Sequence, residues 1–110
     1  MKQKELRYYI AASGKSPFTQ WLSKIKDITT QVRILRRLER LEFGHYGDYK
    51  SVGDGVFELR LAFGPGYRVY FGEEDGVAVV LLLGGNKSSQ SKDIEIAKKY
   101  WRELQEAKNE

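Results

Sequence analysis

The sequence predicts a single α+β domain, and three observations carry that prediction. Residues Val56 to Phe71 read V-F-E-L-R-L-A-F-G-P-G-Y-R-V-Y-F, two alternating strands around a Gly64-Pro65-Gly66 turn. Two stretches, from Ser16 to Ile28 and from about Thr30 to Phe43, repeat apolar residues at helical spacing, and a third does so after Asn86-Lys87. The chain has 110 residues, enough for one core but not two, so 1–110 is read as one domain.

Taken in order, Glu5 to Ala11 (E-L-R-Y-Y-I-A) is the expected first strand, with Leu6, Tyr8 and Ile10 on one side. Ser16 and Pro17 supply an N-cap and a proline at the first helical position. Phe18, Trp21, Leu22, Ile25 and Ile28 follow as the apolar stripe of that helix. A break at Asp27 to Thr30 starts a second helix that stops at Gly44. Its apolar positions are Val32, Leu35, Leu38 and Leu41, and its other face carries Arg33, Arg36, Arg37 and Arg40. The glycine-rich run His45 to Gly55 has room for one short edge strand, and the hairpin follows. Asp75-Gly76 makes a second turn. Val77 to Leu83 (V-A-V-V-L-L-L) is apolar on both faces, as a central strand covered by helices would be. Ser91 and Asp93 would cap and charge the last helix, with Ile94, Ala97, Tyr100 or Trp101, and Leu104 inward. The order is β-α-α-β-β-β-β-α.

Composition narrows the function. A hydrophobic content of 41% with 13% aromatics argues against disorder. The absence of cysteine excludes disulfides and thiolate metal sites. One histidine and scattered carboxylates lack metal-ligand spacing, so neither metal nor cofactor is expected. Nothing near Met1 resembles a signal peptide, and Val77 to Leu83 is too short to span a bilayer; a soluble cytoplasmic protein is expected. The 19 Lys and Arg against 15 Asp and Glu give +4, compatible with a nucleic acid or an acidic protein partner.

If the apolar residues of the hairpin share the core face, the pleat brings Arg60, Arg68 and Tyr70 together on the other, roughly 5–8 Å apart. Two guanidiniums and a phenol suit a phosphate, although an Arg–Tyr set also simply covers a polar face. The row Arg33, Arg36, Arg37 and Arg40 fits a nucleic-acid backbone, and equally a solvated face. Lys87 lies past the apolar strand in a loop entering a helix N-terminus. Amides there, with Ser88, Ser89 and Ser91, favour an anion, or the glycines merely turn the chain. Gly85-Asn86-Lys87-Ser88 lacks the glycine spacing of a nucleotide-binding loop.

F-x-x-W-L near the start, the V-F-E-L-R-L-A-F-G-P-G-Y-R-V-Y-F hairpin and V-V-L-L-L-G-G-N-K-S-S-Q-S-K-D-I-E-I-A together resemble the addiction-module killer proteins, the HigB-like branch of the RelE/ParE toxin superfamily. The resemblance covers roughly residues 5 to 105. It implies two N-terminal helices packed on a small, twisted, mainly antiparallel sheet with a C-terminal helix. It also implies a type II toxin whose partner is a helix-turn-helix antitoxin, in a toxin–antitoxin hetero-oligomer. RelE-type members cleave mRNA on the ribosome without a metal. By that resemblance Arg68 stabilises the phosphate, Arg60 and Lys87 are further basic groups of the cleft, and Tyr70 positions or stacks on a base. Asp93 is then a base or polar anchor, and Lys50 or His45 reaches in as acid. One departure is Glu58, where the ribonuclease members carry lysine. A carboxylate there acts as a base, pairs with Arg60, or marks lost chemistry. The alternatives are a ParE-like, non-enzymatic inhibitor of DNA gyrase and a catalytically silent antitoxin-binding module.

Overall fold

The computed structural model describes residues 2–109. Two short side chains set the first helix starts. Ser16 Oγ accepts from the Thr19 amide at 3.2 Å, with Pro17 as the first residue of α1 (Pro17–Ser23). The Asp27 carboxylate accepts from the Thr29 amide at 3.1 Å and from Thr30 Oγ1 at 2.8 Å, starting α2 (Ile28–Glu42). The expected single stripe from Phe18 to Ile28 is therefore cut: Ile28 opens α2 and is 68% exposed.

Before these helices comes β1 (Glu5–Tyr8); after them come β2 (Tyr49–Gly53), β3 (Val56–Arg60), β4 (Arg68–Glu74) and β5 (Ala78–Gly85). A 3-10 turn, Lys87–Ser89, then leads into α3 (Gln90–Lys108). The five strands form one sheet in the order β1-β5-β4-β3-β2, antiparallel except for β1, which is parallel to β5. This corrects the layout implied by the resemblance. The two helices do not precede the sheet, because a strand comes first, and the sheet is mixed. The physical reason is the free edge of β5: the Glu5 amide donates to Val77 O at 2.8 Å and the Tyr9 amide to Leu81 O at 3.0 Å, closing that edge. The coarser α+β class stands.

Both faces of the sheet are covered. On one, Phe18 of α1 and Ile34, Leu38 and Leu41 of α2 pack on Leu59, Val69, Phe71, Val79 and Leu81. On the other, Ala97 and Trp101 of α3 pack on Tyr9, Val56, Tyr70, Val80 and Leu82. Each fully buried aliphatic side chain contributes about 1.5–3 kcal/mol. The second layer overturns the expectation of an open polar face around Tyr70, whose ring is fully buried. Two helical and strand phases also shift. Ile34 is in the core while Val32 and Leu35 are each 38% exposed, and Tyr9 is buried while Tyr8 and Ile10 are exposed. No helix among the described residues is long and apolar enough to cross a membrane.

Candidate nucleic-acid interface

Ile34, Leu38 and Leu41 anchor α2 to the sheet, and this anchoring fixes where its arginines go. Arg33, Arg36, Arg37 and Arg40 follow at spacings of three and four, along one flank of the buried stripe. That flank lines a cleft of about 520 Å³ with Gly47, Asp48, Arg60, Leu61, Ala62 and Phe63. A second hollow of about 360 Å³ shares Asp48 and Arg60 to Phe63 with it and continues to Gly64, Gly66 and Arg68. The two make one groove from α2 to the hairpin tip, and six arginines line it against one carboxylate, Asp48. Such a surface carries a strongly positive potential and suits a polyanion.

The arginines are not equivalent. The Arg33 guanidinium lies 3.9 Å from the centre of the Phe63 ring. Arg37 donates through Nη2 to Tyr46 O and ties the loop after α2 to the helix, while its buried Nη1 has no partner among the described residues. Burial and the neighbouring Arg40 lower its pKa. Arg37 thus forms the floor of the cleft, and Arg33, Arg36 and Arg40 are its exposed wall.

At the hairpin, Arg60 pairs with Arg68 and Glu58 with Tyr70 across β3 and β4. Glu58 is fully buried. Its Oε2 accepts from Tyr70 Oη at 3.2 Å and from Gln90 Nε2 at 2.8 Å, and its Oε1 accepts from Arg60 Nε at 3.1 Å. Burial alone would raise the Glu58 pKa, but the bonds from Gln90, Arg60 and Tyr70 outweigh it and hold the carboxyl below its ordinary value. Burial and the facing carboxylate push the Tyr70 phenol well up. The pair is therefore a fixed anion and a neutral donor at pH 7. Glu58 pairs with Arg60, one of the three roles open to it in the sequence, and its low pKa suits it poorly to proton abstraction near neutrality. Tyr70 has no free ring face to stack on a base.

Arg68 donates through Nη1 to Gly66 O at 2.8 Å, inside the turn in which Gly64 and Gly66 take φ of 61° and 76°. The Lys87 amide donates to Pro65 O at 3.4 Å, so Lys87 stands beside that turn. The amides expected to bind an anion there are already used. Asn86 Oδ1 accepts from the Ser88 amide at 2.9 Å and the Ser89 amide at 3.3 Å. Asn86 caps the 3-10 turn, while α3 has Ser89 as its N-cap with no side-chain cap bond, and Ser91, the expected cap, lies within α3. Asp93 accepts from Ser89 Oγ and packs over the backbone of Gly85, where any side chain would collide with it. Lys50, exposed on the edge strand β2, is opposite Glu58 but does not line the groove.

Sequence reasoning missed Gln90, Asp48 and Phe63. Gln90 reads as an ordinary helix residue, and only the packing of α3 on the sheet brings it to Glu58. Asp48 was legible only as part of a glycine-rich loop; the Arg60 amide, donating to Asp48 O at 2.9 Å, carries it into the groove.

No family model matches the chain. An uncharacterized protein of Haemophilus influenzae is 53% identical over 87 residues, covering 79% of this chain and 88% of that protein. The chain belongs to the same family as this Haemophilus influenzae protein.

Proposed function

We propose that the protein is a RelE/ParE-type toxin of a type II toxin–antitoxin pair that acts in the cytoplasm as a ribosome-dependent mRNA endonuclease. The observation that carries this reading is the groove of six arginines running from α2 to the hairpin. Phosphodiester cleavage by a neighbouring 2′-hydroxyl needs positive groups where charge grows on the phosphate, and Arg60 and Arg68 are the two arginines at the hairpin end of that groove. The exposed arginines of α2 supply sequence-independent contacts to the RNA backbone. A helix-turn-helix antitoxin would neutralise the toxin by covering the same positive surface.

A second reading has its own support. Glu58 is held as an anion by its hydrogen bonds, and no histidine lines the groove. A groove short of proton-transfer groups fits a non-enzymatic binder of the gyrase-inhibiting kind. Mapping of mRNA cleavage by purified protein, with and without translating ribosomes, beside a DNA gyrase supercoiling assay separates the two. Cuts that require ribosomes support the nuclease, while intact mRNA with arrested gyrase replaces it by the inhibitor.

A further inference from the structure

The charge arrangement around Glu58 is more specific than groove binding requires. Two guanidiniums at directly paired positions of neighbouring strands repel each other, and Arg60 and Arg68 occupy such positions. A single carboxylate one pleat away answers both. Glu58 Oε1 accepts from Arg60 Nε at 3.1 Å and is 3.9 Å from Arg68 Nε, a buried donor with no hydrogen-bond partner among the described residues. The carboxylate cannot swing to follow either arginine, because Tyr70 from β4 and Gln90 from α3 hold its other oxygen. Arg60 is gripped by Nε alone and its two terminal nitrogens make no hydrogen bond among the described residues. Both arginines line the groove.

We propose that Glu58 is the positioning residue of this groove: a carboxylate clamped by Tyr70 and Gln90 that holds Arg60 and Arg68 side by side and turns their outer nitrogens to one shared RNA phosphate. This rests on the reading of the groove as an RNA-binding surface. One carboxylate between two guanidiniums leaves a net positive charge; Arg60, held at Nε, presents its terminal edge for two-point contact with a phosphate, and Arg68, whose Nη1 is spent on Gly66 O, adds Nη2 beside it. Glu58 itself touches no substrate; it acts through the arginines.

Charge and position predict opposite outcomes, which makes the inference testable. Glu58→Gln makes the groove more positive, so electrostatics alone tightens binding of a polyanion. If Glu58 positions the arginines, the same change weakens it. The probe is a short fluorescein-labelled oligouridine, read by anisotropy against wild type, Glu58→Gln, Tyr70→Phe and Gln90→Leu. Side-chain Nε–Hε resonances of arginine are recorded on the same samples without RNA. Expected is binding weakened about tenfold in Glu58→Gln, the scale of one charge-assisted hydrogen bond, and about threefold in each of the other two. The slowly exchanging Arg60 Hε signal should be lost in Glu58→Gln. Equal or tighter binding by Glu58→Gln, with the Arg60 signal unchanged, overturns the proposal. If Glu58→Gln fails to fold, Tyr70→Phe and Gln90→Leu decide it, since they loosen the clamp without altering charge. Wild type that binds no RNA sinks the groove reading and this inference with it, an outcome distinct from bound wild type with indifferent variants.

Discussion

Tyr70 Oη lies 3.2 Å from Glu58 Oε2 across the β3–β4 pair, and neither residue has exposed surface. A buried carboxylate is stable only when its lone pairs are met, so the phenol contributes to the fold rather than decorating a surface. Tyr70→Phe keeps the ring and removes the donor. Stability should fall by about 1.5–3 kcal/mol, the range for a hydrogen bond to a buried charge. Urea unfolding checks this, and a change within error would mean that Glu58 does not depend on the phenol.

The same carboxylate gives a pH signature. Burial would raise its pKa, but the bonds from Gln90, Arg60 and Tyr70 prevail and the folded value lies below the unfolded one. Its contribution is therefore fully present above the unfolded carboxylate pKa of about 4.3 and is lost as pH falls through the depressed folded value. Glu74, lowered by the hydrogen bond from Lys108 and further by Arg7, acts in the same direction. Urea midpoints should be level from about pH 7 to 5 and fall steeply below about 4. In Glu58→Gln the fall should be shallower, because one of the two depressed carboxyls is gone. An acid limb identical to wild type would assign the whole effect to other groups.

The hairpin was the most legible part of the chain. Strict alternation from Phe57 to Phe71 puts Arg60, Arg68 and Tyr70 on one face, while the Glu58–Tyr70 and Arg60–Arg68 pairs emerge only in the structure. What alternation cannot tell is what covers a face. Tyr70 reads as a surface residue until α3 lays Trp101 and Ala97 over that side of the sheet. The parallel pairing of β1 was equally hidden, since a four-residue strand carries no mark of its partner's direction. In α2 the arginine flank was correct but the buried stripe slipped, because Ile34 and Leu35 both fit an apolar position and only packing chooses between them. In the Lys87 loop the sequence could not show that Asn86 already takes the Ser88 and Ser89 amides that an anion would use.

Gly72 tests how α3 is seated on the sheet. Its φ is not in the left-handed region, yet a side chain there would fall on the Trp101 indole. Gly72→Ala should cost about 1–3 kcal/mol by overpacking. Pairing it with Trp101→Leu should make the alanine nearly neutral in a thermal-unfolding double-mutant cycle. Strict additivity of the two changes would show that α3 does not sit on β4 as described.

The exposed arginines of α2 should act on binding and not on folding. Arg36 is exposed and makes no hydrogen bond among the described residues, so Arg36→Glu should change stability by no more than about 0.5 kcal/mol. If it contacts one phosphate, its loss should lower the slope of log affinity against log salt by about 0.7 for single-stranded RNA. Arg37→Ala should behave oppositely, losing stability because the bond to Tyr46 O is broken. Titrations at several salt concentrations, beside unfolding curves, distinguish a wall residue from a floor residue. The same slope in Arg36→Glu and wild type would take α2 out of the RNA path.

Arg68 is where binding and chemistry separate. Its side chain is only 12% exposed against 35% for Arg60, and one guanidinium nitrogen is spent on Gly66 O, so it has less to give to the capture of RNA than Arg60. A group placed to meet charge that develops on a phosphate affects the rate far more than the affinity. Arg68→Ala should lower ribosome-dependent cleavage by about 10²–10³-fold while weakening RNA binding only a few fold. Growth arrest on expression should be lost together with cleavage. Arg60→Ala, whose residue is more exposed and lines both hollows of the groove, should cost more in affinity than Arg68→Ala does. Cleavage mapping and anisotropy on the same folded variants read the two effects apart. Full toxicity in folded Arg68→Ala would falsify its assignment as the phosphate-stabilising group and leave the groove as a binding surface alone.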